Sequence, residues 1–526
     1  MRRFDLCCIG SGVGSSEIFF QLSKLFINNN DNLKKKNYKI ILVDQFKENI
    51  GGGIPYTKEF CQYGYFNNPC RLSPNKFVDW VIKKKNIIKI FDYLETEGGI
   101  SGRQWIKKNF FLKKKIKKKN LSEIYLPRAA LGFWMKEKYI ETLKLLKKLK
   151  DEKKINIQLF FAENKAVKIK KNNEKFVICL AKNSNINRIN FAKNALNFKD
   201  SLNKNLNEIS SKKIVISTGV QKAKKITNLK NTKYIEDLYL RRGSKKIIEL
   251  INDNNKKNLV IHILGSKAGF LESLTEISFI HKLLKKKIKI ISSSIYATTL
   301  NPAKLNNGKV KLQFLNTANI NKISKAKEIF ELIKKELTTS NDKKVNYSLW
   351  TKILEKKLLN KALNKLNKDQ LNIYNLYFFQ KIRSLTRFTY PETINAMIKL
   401  KSLKILNLRK EKVTKIFFIN NNFYTHCIDN YKRVHIIKSD IVINVMGPTK
   451  FKDLMKKNNL LNSIIKIGAK YNEVGFKINN SFEVNNAKNL FVINSLASGF
   501  NKNRETILNA TINNAKKCSQ KIFSNI

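Results

Sequence analysis

The first fifteen residues constrain the fold more than any other stretch, because they are typical of a strand, a glycine turn and a helix start. An apolar run from Phe4 to Ile9 ends in Gly10-Ser-Gly-Val-Gly-Ser15, and apolar residues follow at helical spacing from Ile18. A dinucleotide site needs this order: a tight turn, bare backbone for pyrophosphate to approach, and a helix N-terminus facing the phosphates. Ser15 stands where the usual pattern has its third glycine, and we expect so small a residue to preserve close helix–strand packing.

A second apolar strand supports this interpretation. Tyr38–Val43 ends in Asp44, and an acidic residue at this point can hold the hydroxyls of a ribose. The polar stretch 28–37 lengthens the connection. The alternative is an ordinary βαβ unit with a helix-start turn. A site at the extreme N-terminus favours FAD over NAD, with a second nucleotide domain inserted later in the chain.

That second domain has its own strand–turn–helix pattern. The strand Asn258–Leu264 runs into Gly265-Ser-Lys-Ala-Gly269, and a matching strand follows the helix at 288–292. Residues 320–400 are typical of helices. We therefore predict an α/β fold of two Rossmann-like dinucleotide-binding domains, with the NAD(P) domain inserted into the FAD domain. Residues 1–250 and 405–526 form the FAD-binding domain, and 255–404 form the inserted NAD(P)-binding-like and helical domain.

The intervening chain is less distinctive. Apolar spacing predicts a helix over 132–149, and alternation predicts strands over 156–181. The Asn- and Lys-rich segment 182–209 is predicted to be a loop.

Composition limits the other function classes. The net charge is +65, from 104 Lys+Arg against 39 Asp+Glu, but the lysines are spread along the chain, so nucleic-acid binding is not favoured. No apolar run reaches the ~18 residues of a membrane span. The seven cysteines form no C-x-x-C and no His/Cys zinc spacing, so we expect no metal site. Unpaired cysteines of this kind fit a reducing, cytoplasmic compartment.

Taken in order, the motifs resemble those of the bacterial FAD/NAD(P)-binding protein family, which is distantly similar to flavin-dependent N-hydroxylating monooxygenases. The matching stretches cover nearly the whole chain. They are 10–15, 51–56, 66–69, 77–81, 127–132, 265–272, 447–448 and 499–506.

The resemblance implies FAD and NAD(P)H as cofactors and assigns residues to them. The implied cofactor-binding residues are Gly10, Ser11, Gly12, Val13, Gly14, Ser15, Asp44, Gly53, Tyr56, Asn67, Asn68, Arg128, Thr218, Gly219, Gly265, Ser266, Lys267, Gly269, Glu272, Gly499 and Thr506. Arg128 fits a phosphate, a substrate carboxylate or a structural salt bridge equally. Lys267 replaces the second glycine of its turn, so it either obstructs a pyrophosphate or contacts a phosphate.

The activity implied is a flavin-dependent oxidoreductase, with a monooxygenase favoured. NAD(P)H would reduce the flavin, and a flavin C4a-peroxide formed with molecular oxygen would oxidise a small substrate such as an amine or amino acid. The alternatives are an NAD(P)H dehydrogenase or reductase without oxygen insertion, a basic RNA-binding flavoprotein, and a non-catalytic flavin-binding protein. No general base is identified, and His262, in a predicted strand, is interpreted as structural.

Overall fold

The structure is a computed structural model that describes part of the chain. It covers residues 2–524 apart from 30–36, 59–63, 115, 153, 193–194, 201–205, 219–223, 225, 228, 230, 239–242, 282, 284–285, 296, 298–299, 303–310, 339–346, 448, 450 and 499–506.

A strand, a glycine turn and a helix follow one another at both predicted sites, around Gly10 and around Gly265. The strands are β1 (Arg2–Ile9), β2 (Asn37–Asp44), β3 (Asn156–Glu163), β4 (Ala166–Asn172), β5 (Lys175–Ser184), β6 (Ile186–Ala192), β7 (Ala195–Asp200), β8 (Leu206–Ile216), β9 (Tyr234–Ile235), β10 (Asn258–Leu264), β11 (Lys287–Ser294), β12 (Asn301–Pro302), β13 (Phe388–Thr389), β14 (Leu406–Ile419), β15 (Asn422–Asp429), β16 (Val434–Ser439), β17 (Ile441–Asn444) and β18 (Leu490–Val492). The helices are α1 (Val13–Asn28), α2 (Asn75–Val81), α3 (Lys84–Thr96), α4 (Gly99–Asn109), α5 (Phe111–Lys114), α6 (Lys118–Leu121), α7 (Ala129–Asp151), α8 (Gly243–Asn252), α9 (Ala268–Ile280), α10 (Thr317–Asn321), α11 (Ala326–Leu337), α12 (Tyr347–Glu355), α13 (Leu358–Leu363), α14 (Lys368–Ile373), α15 (Phe379–Leu385), α16 (Pro391–Ser402), α17 (Phe451–Lys457), α18 (Asn459–Lys466) and α19 (Ile507–Ser524).

The first sheet joins both ends of the chain. Its described strands follow the order β4-β5-β8-β1-β2-β3-β6-β7, and β18 pairs with β8. Strands β1, β2, β3, β8 and β18 run parallel. Helix α1 packs against the C-terminal helix α19, where Ser519 donates to the Ile18 carbonyl at 3.5 Å. The C-terminal part of the chain therefore packs against the N-terminal turn and its helix.

The second sheet follows the order β16-β15-β14-β11-β10-β17-β9. Its centre is parallel and includes the pairing of β14 with β11. The pairs β14–β15 and β15–β16 extend the sheet in antiparallel fashion. Residues 406–444 pair in this sheet, whereas the sequence division assigns 405–526 to the first domain. Because the strands from β9 to β17 that pair in the second sheet span these residues, we propose that the inserted unit runs from about Tyr234 to Asn444.

The segment between β11 and β14 is mainly helical, as predicted for 320–400, and it holds α10 to α16. The prediction of a loop over 182–209 is wrong, because most of it forms the end of β5, β6, β7 and the start of β8. Strand β6 pairs antiparallel with both β3 and β7. Ile186 and Ile189 of this strand are buried. The Asn and Arg side chains between them hide the alternation of apolar and polar residues by which a strand is recognised.

No helix among the described residues is both long enough and apolar enough to cross a bilayer.

Candidate functional site

The first glycine turn is shaped by close backbone contacts. Gly10 has a φ of +96°, and a Cβ on it would lie 2.3 Å from the carbonyl oxygen of Ser217 at the end of β8. A Cβ on Gly14 would lie 2.4 Å from the Ser217 hydroxyl. Gly14 therefore allows the close helix–strand packing that the third glycine usually provides. Ser15 is buried beside it and donates to the Gly10 carbonyl at 2.5 Å.

Asp44 lies at the end of β2 with its carboxylate against this turn. Oδ2 accepts from the Ser11 amide at 2.8 Å and from the Ser11 hydroxyl at 3.0 Å. Oδ1 accepts from the Asn49 amide group at 2.8 Å and from the Phe46 backbone at 3.3 Å. The carboxylate thus accepts four hydrogen bonds from the chain itself, and Asn49 is a partner that the sequence did not indicate.

A second glycine stretch, 51–56, covers the turn. A Cβ on Gly12 would lie 3.1 Å from the Gly53 Cα, and one on Gly53 would lie 3.2 Å from the Gly12 Cα. The Gly51 amide donates to the Ser11 carbonyl at 3.0 Å. Because Gly12 and Gly53 have no side chains, the backbones of the two segments can lie against each other at this point.

Helix α1 begins directly after this turn without a side-chain cap. Its N-cap residue is Gly12, which offers no side-chain acceptor to the first amides of the helix. Because those amides have no acceptor within a helix, the start of α1 presents donors and the positive end of the helix dipole. This arrangement suits a pyrophosphate.

Asn67 and Asn68 lie where the first domain meets the helical segment. The Tyr347 hydroxyl of α12 donates to Asn68 Oδ1 at 3.1 Å, and the Thr389 hydroxyl of β13 donates to Asn67 Oδ1 at 3.4 Å. Nearby, the ring of Tyr56 stacks on Phe66 with centroids 5.7 Å apart. No sequence signal connected Tyr347 or Thr389 with these residues.

The second glycine turn is built like the first. Gly265 has a φ of +117°, and its Cβ would lie 2.9 Å from the carbonyl oxygen of Val445, just after β17. A Cβ on Gly269 would lie 3.0 Å from the Val445 Cβ, so Gly269 allows the same close packing as Gly14. Helix α9 also begins without a side-chain cap.

One position distinguishes the two turns. Ser266 corresponds to Ser11, but its hydroxyl donates to the Ser294 hydroxyl at 2.9 Å, where Ser11 donates to Asp44. The second turn therefore has a neutral serine at the end of β11 instead of a carboxylate. Its electrostatic environment is correspondingly less negative.

Two cations lie at the second turn. Lys267 is the N-cap residue of α9, and burial together with the nearby Arg387 lowers the pKa of its ammonium. Burial also lowers the pKa of the Arg387 guanidinium. Two half-buried positive charges this close together favour an anionic ligand such as a phosphate.

Arg128 and Glu272 bind each other across the two domains. Arg128 Nη2 lies 2.5 Å from Glu272 Oε1, and Arg128 Nε donates to the Tyr65 carbonyl at 2.8 Å. The structural salt bridge considered for Arg128 is therefore present. One helical turn along α9, burial raises the pKa of Glu276 to about 8, and the hydroxyl of Ser101 offsets this only in part.

Thr218 accepts a hydrogen bond from the Asn494 side chain at 3.1 Å, close to the first turn. Gly219, Gly499 and Thr506 lie outside the described residues.

No protein-family model matches the sequence, and no curated protein sequence matches it either. Among solved structures, the ornithine N-hydroxylase KtzI of Kutzneria sp. 744, solved with FADred, NADP+ and L-orn, superposes with a TM-score of 0.50 at 9% identity. The alignment covers 99% of each chain. The predicted fold of two dinucleotide-binding domains is thus confirmed, and the resemblance to flavoprotein monooxygenases holds at the level of the fold.

Two further structures are less similar. The cadaverine monooxygenase DfoA of Erwinia amylovora, solved bound to FAD, has a TM-score of 0.48 at 11% identity, over 100% of this chain and 95% of that one. The bacillithiol disulfide reductase of Staphylococcus aureus has a TM-score of 0.44 at 11% identity, over 100% and 99%.

Proposed function

We propose that this protein is an FAD-dependent, NAD(P)H-using oxidoreductase. The observation that carries the proposal is the pair of glycine turns built in the same way, at Gly10 and at Gly265. Each turn combines a positive φ, close packing on a neighbouring strand end and an uncapped helix start. Two such turns in one chain suit two dinucleotides.

The residues of the first turn fit FAD. The backbone of Gly10–Ser15 and the start of α1 would hold the pyrophosphate, and Asp44 would hold the adenosine ribose. Because Asp44 already accepts four hydrogen bonds, a ribose hydroxyl has to replace one of them. The Ser11 hydroxyl is the simplest to replace, since it can rotate while the Ser11 amide keeps its bond to the same oxygen.

The residues of the second turn fit NADPH better than NADH. A carboxylate at the end of the second strand favours the ribose 2′-hydroxyl of NADH, whereas a nearby cation accommodates the 2′-phosphate of NADPH. Here Ser294 stands at the strand end, and Lys267 and Arg387 supply positive charge.

When bound, FAD supplies the redox chemistry: it accepts hydride from the nicotinamide and, once reduced, reacts with oxygen. The protein has to position the partners and exclude water. The glycines of the 51–56 stretch lie against the backbone of the first turn. Asn67 and Asn68 join the first domain to Tyr347 and Thr389, and we place the substrate beside this junction.

The favoured reaction is oxygen insertion into a small amine or amino acid. The support is the likeness of fold to the ornithine N-hydroxylase of Kutzneria sp. 744, whose structure contains L-orn. The experiment is to follow NADPH oxidation, hydroxylated product and hydrogen peroxide against a panel of amines and amino acids. Product formed in proportion to NADPH consumed supports a monooxygenase. NADPH oxidation that leaves every amine unchanged and reduces oxygen only to hydrogen peroxide, or that passes electrons to a quinone or disulfide, supports the reductase alternative.

A further inference from the structure

The second sheet contains a buried group of three side chains that the cofactor sites do not use. We call His262 of β10, Glu411 of β14 and Cys427 of β15 the sheet cluster. One nitrogen, one carboxylate oxygen and the Sγ of these residues lie within 4.8 Å of one another, and all three side chains are buried. Residues 165 positions apart in the sequence are thus brought to a single point.

Strand β14 brings Glu411 to this point, because β14 pairs with a different strand along each part of its length. The first part of β14 pairs parallel with β11, and the second part pairs antiparallel with β15. The register shifts between Val413 and Lys415. Such a bulge changes which residues face inward, so Glu411 lies inside before the shift and Ile416 lies inside after it. Strand β16 packs close to β10, and Thr425 of β15 contacts His262.

Hydroxyl groups hold the donor atoms in place. His262 Nε2 lies 2.6 Å from the Ser293 hydroxyl, and Nδ1 lies 3.2 Å from the Thr425 hydroxyl. Ser293 also donates to Glu411 Oε1. Burial, with smaller contributions from Arg409 and His435, lowers the pKa of His262 to about 3.

His435 adds an independent observation. It is the cross-strand partner of Cys427, and its Nε2 lies 2.8 Å from Glu411 Oε2. This nitrogen is buried, yet it has no hydrogen-bond partner among the described residues, because the contact lacks hydrogen-bond geometry. At 2.8 Å, this nitrogen and the Glu411 oxygen are close enough together to bind the same cation. The His435 side chain is 34% exposed and connects the cluster to solvent.

We propose that the sheet cluster binds a divalent transition-metal ion, Zn²⁺ being the best fit, through His262, Glu411 and Cys427, with His435 beside the Glu411 carboxylate. Imidazole, carboxylate and thiolate are the ligands that Zn²⁺ uses in proteins. Binding replaces the thiol proton of Cys427, which leaves to solvent. The carboxylate and thiolate charges together balance the two charges of the ion, as a buried site requires. The Ser293 hydroxyl turns away about its χ1 angle to admit the ion.

The test uses full-length, untagged protein, dialysed against a chelator and reloaded by equilibrium dialysis with Zn²⁺. We expect one Zn²⁺ per chain by elemental analysis, and loss of binding in Cys427→Ser and His262→Gln. Cys518→Ser is the matched control, since Cys518 is also buried but lies in α19. Co²⁺ should give intense tetrahedral absorption bands in the red, where flavins do not absorb.

Ser293→Ala separates a metal site from a permanent hydrogen-bond network. It keeps all three ligands and removes the hydroxyl between them, so metal binding should be retained or strengthened. Folded wild-type protein that binds no stoichiometric Zn²⁺, or binding that survives Cys427→Ser, would overturn the proposal. Metal content is measured regardless of flavin content, so this result is independent of the proposed oxidoreductase activity.

Discussion

Arg128, beside the start of α7 in the first domain, forms a largely buried ion pair with Glu272 on α9 of the second, with Nη2 and Oε1 2.5 Å apart. The side chains are only 11% and 16% exposed. This charged contact connects α9 to the start of α7, and Glu272 lies one turn of helix beyond Gly269 of the second glycine turn.

Arg128→Gln tests whether this pair is structural. We expect a loss of about 3 kcal/mol in the free energy of unfolding, because a buried carboxylate is left without its partner. Glu272→Gln should be similarly costly, and the double variant should cost much less than the sum of the two. Urea titrations of the four proteins measure the coupling. If Arg128 instead binds a cofactor phosphate, the two substitutions will be additive in stability and Arg128→Gln will act on cofactor affinity alone.

The contact between Gly12 and Gly53 predicts an effect on FAD binding. Alanine at either position places a Cβ about 3.1–3.2 Å from the other Cα, and Gly53 also has a φ of +66°. We expect each substitution to weaken FAD affinity by at least about tenfold, roughly 1.4 kcal/mol. Flavin fluorescence on titration with FAD measures this. Gly447→Ala is the control, because nothing lies within 4 Å of a Cβ there. Equal affinity in all three variants would show that the backbone contact does not form part of the FAD site.

Glu276 predicts a pH dependence of stability. Burial raises the pKa of its carboxyl from 4.5 to about 8, so the folded chain holds a proton that the unfolded chain releases. Its contribution to stability is therefore complete below about pH 4.5 and is lost as the pH rises towards 8. This loss is on the order of 5 kcal/mol.

Glu276→Gln should remove that dependence, because the amide stays neutral. We expect the variant to resemble wild type in urea at pH 5 and to be clearly more stable at pH 9. Glu331→Gln, an exposed substitution on α11, should show no such difference. A Glu276→Gln chain less stable than wild type at both pH values would mean that the carboxylate is stabilised in its charged form.

Ser294→Asp should move the nicotinamide preference towards NADH. The new carboxylate would stand where Asp44 stands in the first turn, and it would repel the 2′-phosphate of NADPH. We expect the ratio of kcat/KM for NADPH over NADH to fall at least about tenfold, or roughly 1.4 kcal/mol. The control is Lys287→Asp, which introduces a carboxylate at an exposed position at the other end of β11. Ser292 is unsuitable for this purpose because it is buried. An unchanged ratio would place the nucleotide elsewhere.

Local motifs made the fold and the two turns predictable from the sequence. Gly10–Ser15 and Gly265–Gly269 are each contiguous, and a glycine turn between an apolar strand and a helix can be recognised without tertiary information. The partners of these turns could not be found in this way. Arg387 reaches Lys267 across a helical segment, and Tyr347 reaches Asn68 across 279 positions. Neither residue has a pattern that distinguishes it from a core residue.

The same reason explains the sheet cluster. A search for zinc ligands at regular sequence spacing fails here, because His262, Glu411 and Cys427 come from three strands that meet only in the folded sheet. Strand β6 was missed for a different reason. Its two buried isoleucines, Ile186 and Ile189, are separated by two polar residues rather than one. The alternation typical of a strand is therefore absent, and the composition of β6 resembles that of a loop.

The central claim is that both turns hold cofactors and exchange electrons. Anaerobic titration of the FAD-reconstituted protein with NADPH tests it most directly. We predict one FAD per chain and complete loss of the oxidised flavin absorbance near one equivalent of NADPH, with slower reduction by NADH. A protein that cannot be reconstituted with FAD, or a bound flavin that neither nucleotide reduces, would contradict the account.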